Sequence, residues 1–162
     1  LGPELRLTAG ANYQIRHNDA DGLADVETTG VSFGAIHTMA NKDRLALTVG
    51  TTWAASDNGQ SRSTERSARL SYHRAKPIGP VSLSAAIGVS ETTYPDYRIL
   101  FWSVPGGRED TRSSAEVNVS FDRLGYMGFT PTLKLSSERT LSNVSRFETD
   151  ELSVSLGLRT AF

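Results

Sequence analysis

Cysteine is absent from the 162-residue chain, which removes a disulfide scaffold and any thiolate metal site. Long hydrophobic runs are missing as well. The longest purely apolar stretch is Ile99-Leu100-Phe101-Trp102, far short of the roughly 18 residues of a membrane-spanning helix, so a helical membrane protein is excluded. Neither sign of charge dominates, since 17 basic and 18 acidic side chains leave a formal net charge of −1. The electrostatic footprint of a nucleic-acid binder is therefore lacking. What is present is 38% hydrophobic and 22% charged residues with 14 glycines, the composition of one folded domain over residues 1–162. A soluble all-β domain and a membrane barrel both remain, because a barrel hides its polarity on alternate residues and reads as mildly hydrophilic. The chain opens on Leu1, so a signal peptide or a longer N-terminal part is expected to have been removed.

Apolar residues recur at every second position, the period of a strand with one apolar and one polar face. Near the C-terminus Leu152, Val154, Leu156, Leu158 and Phe162 oppose Ser153, Ser155, Gly157 and Arg159. The same alternation places Phe129, Pro131, Leu133 and Leu135 on one face, and Ala115, Val117, Val119 and Phe121 on another. Upstream it recurs in Val81 to Val89, Ala68 to Tyr72, Leu45 to Trp53, Val31 to Met39 and Leu5 to Ile15, with His37 as an exception on its apolar face. Eight strands are expected. Short turns are expected near 40–43, 77–80 and 123–126, and long polar connections near 17–25, 56–65, 92–112 and 139–148. Short turns at one end and long loops at the other are the habit of bacterial outer-membrane barrels.

Three details separate a barrel from a soluble sandwich, in which the apolar face would be covered by a second layer. The polar face is crowded with Ser, Thr, Gly and Ala plus the charges Glu4, Arg6, Arg69, Glu116, Lys134, Glu138 and Arg159, as suits a narrow lumen. The segments match the roughly 9 to 11 tilted residues that cross a bilayer. Tyr13, Trp53, Tyr72, Phe121, Tyr126, Phe129 and Phe162 fall toward strand ends, where interfacial rings reside. The expected fold is an antiparallel up-and-down transmembrane β-barrel with eight strands in this chain, both termini periplasmic and the outer membrane as its location.

The last strand, with Val154, Leu156 and Leu158 in phase behind Phe162, resembles the C-terminal signal by which the outer-membrane assembly machinery recognises barrels; Thr160 stands where an aromatic is common. Arg108-Glu109-Asp110, Gly128-Phe129-Thr130-Pro131-Thr132-Leu133, Ser142-Asn143, Gly157-Leu158 and Phe162 together resemble the end of the surface lipoprotein assembly modifier barrels, over roughly residues 95 to 162. The resemblance implies a periplasmic helical-repeat domain followed by a barrel of about fourteen strands, and a role in moving lipoproteins or other proteins across the outer membrane. With no helical repeats and eight strand candidates, the chain is then either the C-terminal part of such a barrel or a shortened relative that closes at eight. The difference is functional: side chains fill an eight-stranded interior, whereas passage needs a wider cylinder.

Other candidates were weighed against plainer readings. Ser71 and His73 share a face, but Arg69 stands beside them and no G-x-S-x-G elbow or acidic partner accompanies them, so they, like His17 and His37, read as polar side chains rather than a hydrolase site. His17-Asn18-Asp19-Ala20-Asp21-Gly22 echoes a calcium loop, yet His17 and Thr28 occupy the positions that require carboxylates. The sequence nominates no catalytic residue, metal or cofactor. The lumen charges read as a pore lining in a wide barrel and as a network holding the wall together in a closed one. Tyr97, Ile99, Leu100, Phe101 and Trp102 make a segment too apolar for an ordinary exposed loop; it either packs on the barrel's own end or binds a partner. Expected partners are outer-membrane lipid, the barrel assembly machinery and a lipoprotein cargo or other membrane protein.

Overall fold

Period-2 alternation favours extended backbone in which neighbouring strands pair through turns. The computed structural model describes residues 4–17, 25–56, 62–124 and 127–160. Ten strands occur among them: β1 (Glu4–Arg16), β2 (Val26–Thr38), β3 (Arg44–Ser56), β4 (Ser63–His73), β5 (Ser82–Tyr94), β6 (Arg98–Ile99), β7 (Trp102–Ser103), β8 (Arg108–Ser120), β9 (Phe129–Ser142) and β10 (Thr149–Thr160). Eight form one sheet in the order β1-β2-β3-β4-β5-β8-β9-β10. Every neighbouring pair is antiparallel. β6 and β7 make a separate two-stranded hairpin within the β5–β8 connection.

The register sorts side chains into continuous faces. One row of partners runs Leu5, His37, Leu45, Tyr72, Ala85, Val117, Leu135, Val154. The next row runs Arg6, Ile36, Ala46, Ser71, Ala86, Glu116, Ser136, Ser153. The first belongs to an apolar face and the second to a polar one.

The apolar belt runs obliquely to these rows. A row that begins with Ala9, Phe33, Val49, Ala68 and Val89 ends on Ser113, Arg139 and Asp150. Charge enters the apolar face at Glu27 beside Ile15, lower at Arg66 paired with Glu91, and lower again at Arg139 paired with Asp150. A belt of constant depth crosses tilted strands in this way. Tyr13 and Trp53 flank Thr29 in one row at the upper rim. From Leu45 to Trp53, β3 advances about 26 Å.

Among the described residues nothing covers this face. Leu7, Phe33, Ile87 and Leu156 are all exposed, no large side chain is fully buried, and the buried apolar residues are Ala86, Tyr97 and Val144. The accessible surface of 11489 Å² compares with about 7,900 Å² expected of a soluble monomer of this mass. The second layer that a soluble sandwich requires is missing among the described residues.

The sheet departs from the expected architecture in three respects. It does not close: β1 and β10 are its two edges, and the described residues carry no ladder between them. Alternation within each strand specifies faces but not which edges meet, because closure depends on strand number and shear. Connection lengths do not alternate cleanly either. β2 and β3 are joined by residues 39–43, β4 and β5 by 74–81, and β8 and β9 by 121–128, against 17–25, 57–62, 95–107 and 143–148 at the other end. Much of the polar sequence assigned to loops instead extends the strands past the apolar belt, where ladder hydrogen bonds still satisfy the backbone. Finally, the β5–β8 connection contains the β6–β7 hairpin, whose two-residue strands are too short to show a period.

Candidate functional site

Two regions of the sheet carry concentrated chemistry. The first is the middle of the polar face, where β4, β8 and β9 bring Arg69, Glu116 and Lys134 together. Lys134 Nζ lies 3.0 Å from Glu116 Oε2 and Arg69 Nη2 lies 3.8 Å from it, while Asn118 Nδ2 donates to Glu116 Oε1 at 2.6 Å. Glu116 is thus the acceptor on which one amide and two cations converge. Higher up, Arg112 Nε lies 3.3 Å from Glu138 Oε1, and Ser153 Oγ donates to Glu151 at 3.0 Å. At the far end Arg159 reaches Asp122 at 3.3 Å, and Ser82 also donates to Asp122.

All seven charges expected on the lumen side fall on the polar face. Arg69, Glu116 and Lys134 form one cluster; Glu138 and Arg159 each find a partner, Arg112 and Asp122, that the sequence reading did not single out. Glu4 and Arg6 instead line a cavity of about 670 Å³ with Thr38, Lys42 and Arg44. On β2 and β3 the same face carries mostly small residues, and the positions above Gly30 and Gly34 are occupied by Asn12 and Thr8. One wall is therefore smooth and the other charged.

The second region lies at the end of the sheet from which the β6–β7 hairpin rises. Tyr94, Arg108 and Asp110 all point from the polar face, as the register Tyr94↔Arg108 and Thr92↔Asp110 requires. The Arg108 guanidinium carbon lies 3.7 Å from the Tyr94 ring centroid and 3.8 Å from that of Phe147, so the cation is held between two rings. Asp110 lies 3.0 Å from Arg108. Tyr97 packs edge-to-face on Phe147, with centroids 5.7 Å apart at 82°, and its hydroxyl accepts from Arg146. Asn143 ties the connection down, donating to the Gly107 carbonyl at 3.0 Å and accepting from the Glu109 amide at 2.9 Å.

This arrangement divides the expected partner-binding segment. Tyr97, at 6% exposure, is an anchor in the base, whereas Ile99, Leu100, Phe101 and Trp102 are 39%, 82%, 95% and 79% exposed. Arg108, Phe147 and Arg146 were missed as the base. The available signal was the alternation of β8, which sets Arg108 and Asp110 on the polar face beside Tyr94.

The remaining candidates fall apart. Ser71 and His73 line the same cavity of about 280 Å³, but the described hydrogen bonds include none between them. His17 Nδ1 lies 2.8 Å from Asp25, and residues 18–22 of the calcium-like loop, Asp19 and Asp21 among them, lie outside the described residues. No group of three metal-ligating side chains occurs among the described residues. Val154, Leu156 and Leu158 share the exposed apolar face of edge strand β10; Phe162, like Tyr126, lies outside the described residues.

A single-layer, eight-stranded antiparallel meander with one exposed apolar face and one polar, charged face defines an all-β sheet protein. The chain belongs to the surface lipoprotein assembly modifier family, whose model matches residues 11–162. The match reaches well upstream of residues 95–162, over which the sequence resemblance runs. No curated protein and no solved structure matches the chain.

Proposed function

We propose that this chain is a sector of an outer-membrane β-barrel wider than eight strands, with both chain ends periplasmic, whose charged wall lines a pathway used in assembling lipoproteins at the cell surface. The observation that carries this reading is the pair of unpaired edges, β1 and β10, on a sheet whose apolar face is uncovered. Open edges do not persist in lipid, where each unsatisfied backbone group costs several kcal/mol. Because β1 and β10 run antiparallel to each other, an even number of further strands closes the cylinder. A wider cylinder has room for an aqueous path, and the Arg69–Glu116–Lys134 cluster then faces water rather than filling a core. Outer-membrane lipid contacts the apolar face, the assembly machinery engages β10 through Val154, Leu156, Leu158 and Phe162, and a lipoprotein is the passenger. We assign the chain no covalent chemistry.

The alternative, a closed eight-stranded barrel with a structural or loop-mediated binding role, needs β1 hydrogen-bonded to β10. The open sheet does not favour it. Planar-bilayer recordings of the purified full-length protein decide between the two. Stable aqueous conductance is expected; its absence from protein that retains heat-modifiable migration would overturn the pore reading.

A further inference from the structure

We propose that the connections 95–107 and 143–148 form one fixed shelf on the inner wall that narrows the outer mouth of the pathway, an inference that rests on the wide-barrel reading above. Strand parity sends Tyr94, Arg108 and Asp110 from the polar face, so whatever packs on them lies on that side of the sheet. Phe147, from the β9–β10 connection, lies on the Arg108 guanidinium at 3.8 Å. Tyr97, from the β5–β8 connection, has its ring centroid 5.1 Å from the same guanidinium and meets Phe147 edge-on. Both connections therefore bend inward. Burial marks the extent of this cover. The Arg108 and Asp110 side chains are only 11% and 14% exposed, whereas Arg112, one inward position further along β8, and Arg69 and Lys134, deeper on the same face, remain about half exposed. Tyr97, Val144 and Thr140 are buried at this end. A single sheet leaves its polar face open unless chain folds across it, and here two connections do so together.

The shelf is held at several points. The Tyr97 amide donates to the Tyr94 carbonyl at 3.3 Å, the Val104 amide to the Tyr97 carbonyl at 3.2 Å and the Gly107 amide to the Val104 carbonyl at 2.9 Å, which closes the feet of the β5–β8 connection. Asn143 ties the two connections to each other, its side chain donating to the Gly107 carbonyl and its backbone N–H to the Glu109 carbonyl. Arg146 donates to the Tyr97 hydroxyl. All these contacts are made within the chain, so they do not depend on which strands adjoin β1 and β10. The β6–β7 hairpin starts from Tyr97, already on the inner side, and extends the shelf. An element held by two connections at once is a constant restriction rather than a swinging lid, and the width it leaves sets what passes.

The chain has no cysteine of its own, so Thr140→Cys beneath the shelf and Ser114→Cys farther along the same face serve as single reporters in full-length protein held in nanodiscs. The probe is a charged, water-soluble thiol reagent. Thr140→Cys is expected to react at least about tenfold more slowly than Ser114→Cys, and to catch up when Tyr97→Ala with Phe147→Ala strips the cover. In a second variant Gly-Gly replaces residues 98–103, which keeps the Val104-to-Tyr97 hydrogen bond as a two-residue turn. Its planar-bilayer conductance is expected to rise on the order of 1.5- to twofold, with heat-modifiable migration retained. Equal reactivity of the two cysteines without further substitution overturns the shelf. A protected Thr140→Cys with conductance unchanged by the Gly-Gly replacement overturns the narrowing. A protected Thr140→Cys with no conductance from either form sinks the pore reading, and the narrowing with it.

Discussion

The Tyr72 hydroxyl donates a 2.5 Å hydrogen bond to the Asp43 carboxylate, joining the end of β4 to the turn between β2 and β3. The same carboxylate accepts from the Asn41 amide and from the backbone N–H of Ala75, each at 2.9 Å. Two successive connections at one end of the sheet are therefore locked through one buried acidic group.

Those donors favour the ionised form. The Tyr72 hydroxyl, then the Ala75 amide, holds the Asp43 carboxyl below its ordinary range. A depressed carboxyl contributes stability that is complete above its unfolded pKa of about 3.9 and is lost as the pH falls through the lower folded value. Asp43→Ala is expected to lower the unfolding temperature near neutral pH, with the gap to wild type narrowing in acid below about pH 4. Heat-modifiable gel migration across a pH series measures it; a gap independent of pH would refute the linkage.

Arg108 holds the hairpin base through its flat faces rather than through charge alone. Arg108→Lys is expected to fail as a substitute, because an ammonium cannot stack between Tyr94 and Phe147. Losing both ring contacts weakens the base by about 1–2 kcal/mol. Amide hydrogen exchange at Val104, whose N–H closes the hairpin onto Tyr97, and at Gly107, whose N–H closes the next turn onto Val104, should accelerate in both the lysine and alanine variants.

Gly107 sits at φ +82°, and a Cβ there would lie 2.4 Å from the Tyr94 carbonyl oxygen. Backbone cannot yield as a side chain would. Gly107→Ala is expected to cost on the order of 1–3 kcal/mol locally and to expose the 95–107 connection to protease, whereas Gly106→Ala, with open space above it, should suffer from its φ alone.

The two faces should answer a charge in opposite ways. Phe33→Lys places an ammonium in the apolar belt, at an expected cost of about 2–4 kcal/mol near the bilayer centre. Ser67→Lys, on the polar face of β4, should fold and assemble normally. Comparable damage from both would argue against lipid on the apolar side.

Glu116→Gln removes the anion that Lys134 and Arg69 share. These pairs are partly solvated, so the stability change should stay below about 1 kcal/mol. Two uncompensated cations remain on the wall, and reversal potentials in a salt gradient should move toward anion preference.

Much of the wall was legible in the sequence. The partition of Leu5 from Arg6, Val117 from Glu116 and Leu135 from Lys134 follows from side chains alternating across a strand, which needs no knowledge of neighbours. The pairing of Arg159 with Asp122 was not legible, because Asp122 lies beyond the end of β8 in a short 3-10 turn. Nor could composition reveal that Tyr97 is buried while Phe101 is bare, since both belong to one apolar segment and only the Arg108–Phe147 base tells them apart.

The amino-acid order by itself determined two faces, eight long strands and an up-and-down course, because strand periodicity and turn chemistry act within a few residues. Only the tertiary structure decided that β1 and β10 stand apart, that the apolar belt crosses the rows obliquely, and that four apolar side chains top a closed aromatic base. Each of these depends on pairing between residues distant in the chain, and a period of two is indifferent to which strand lies alongside.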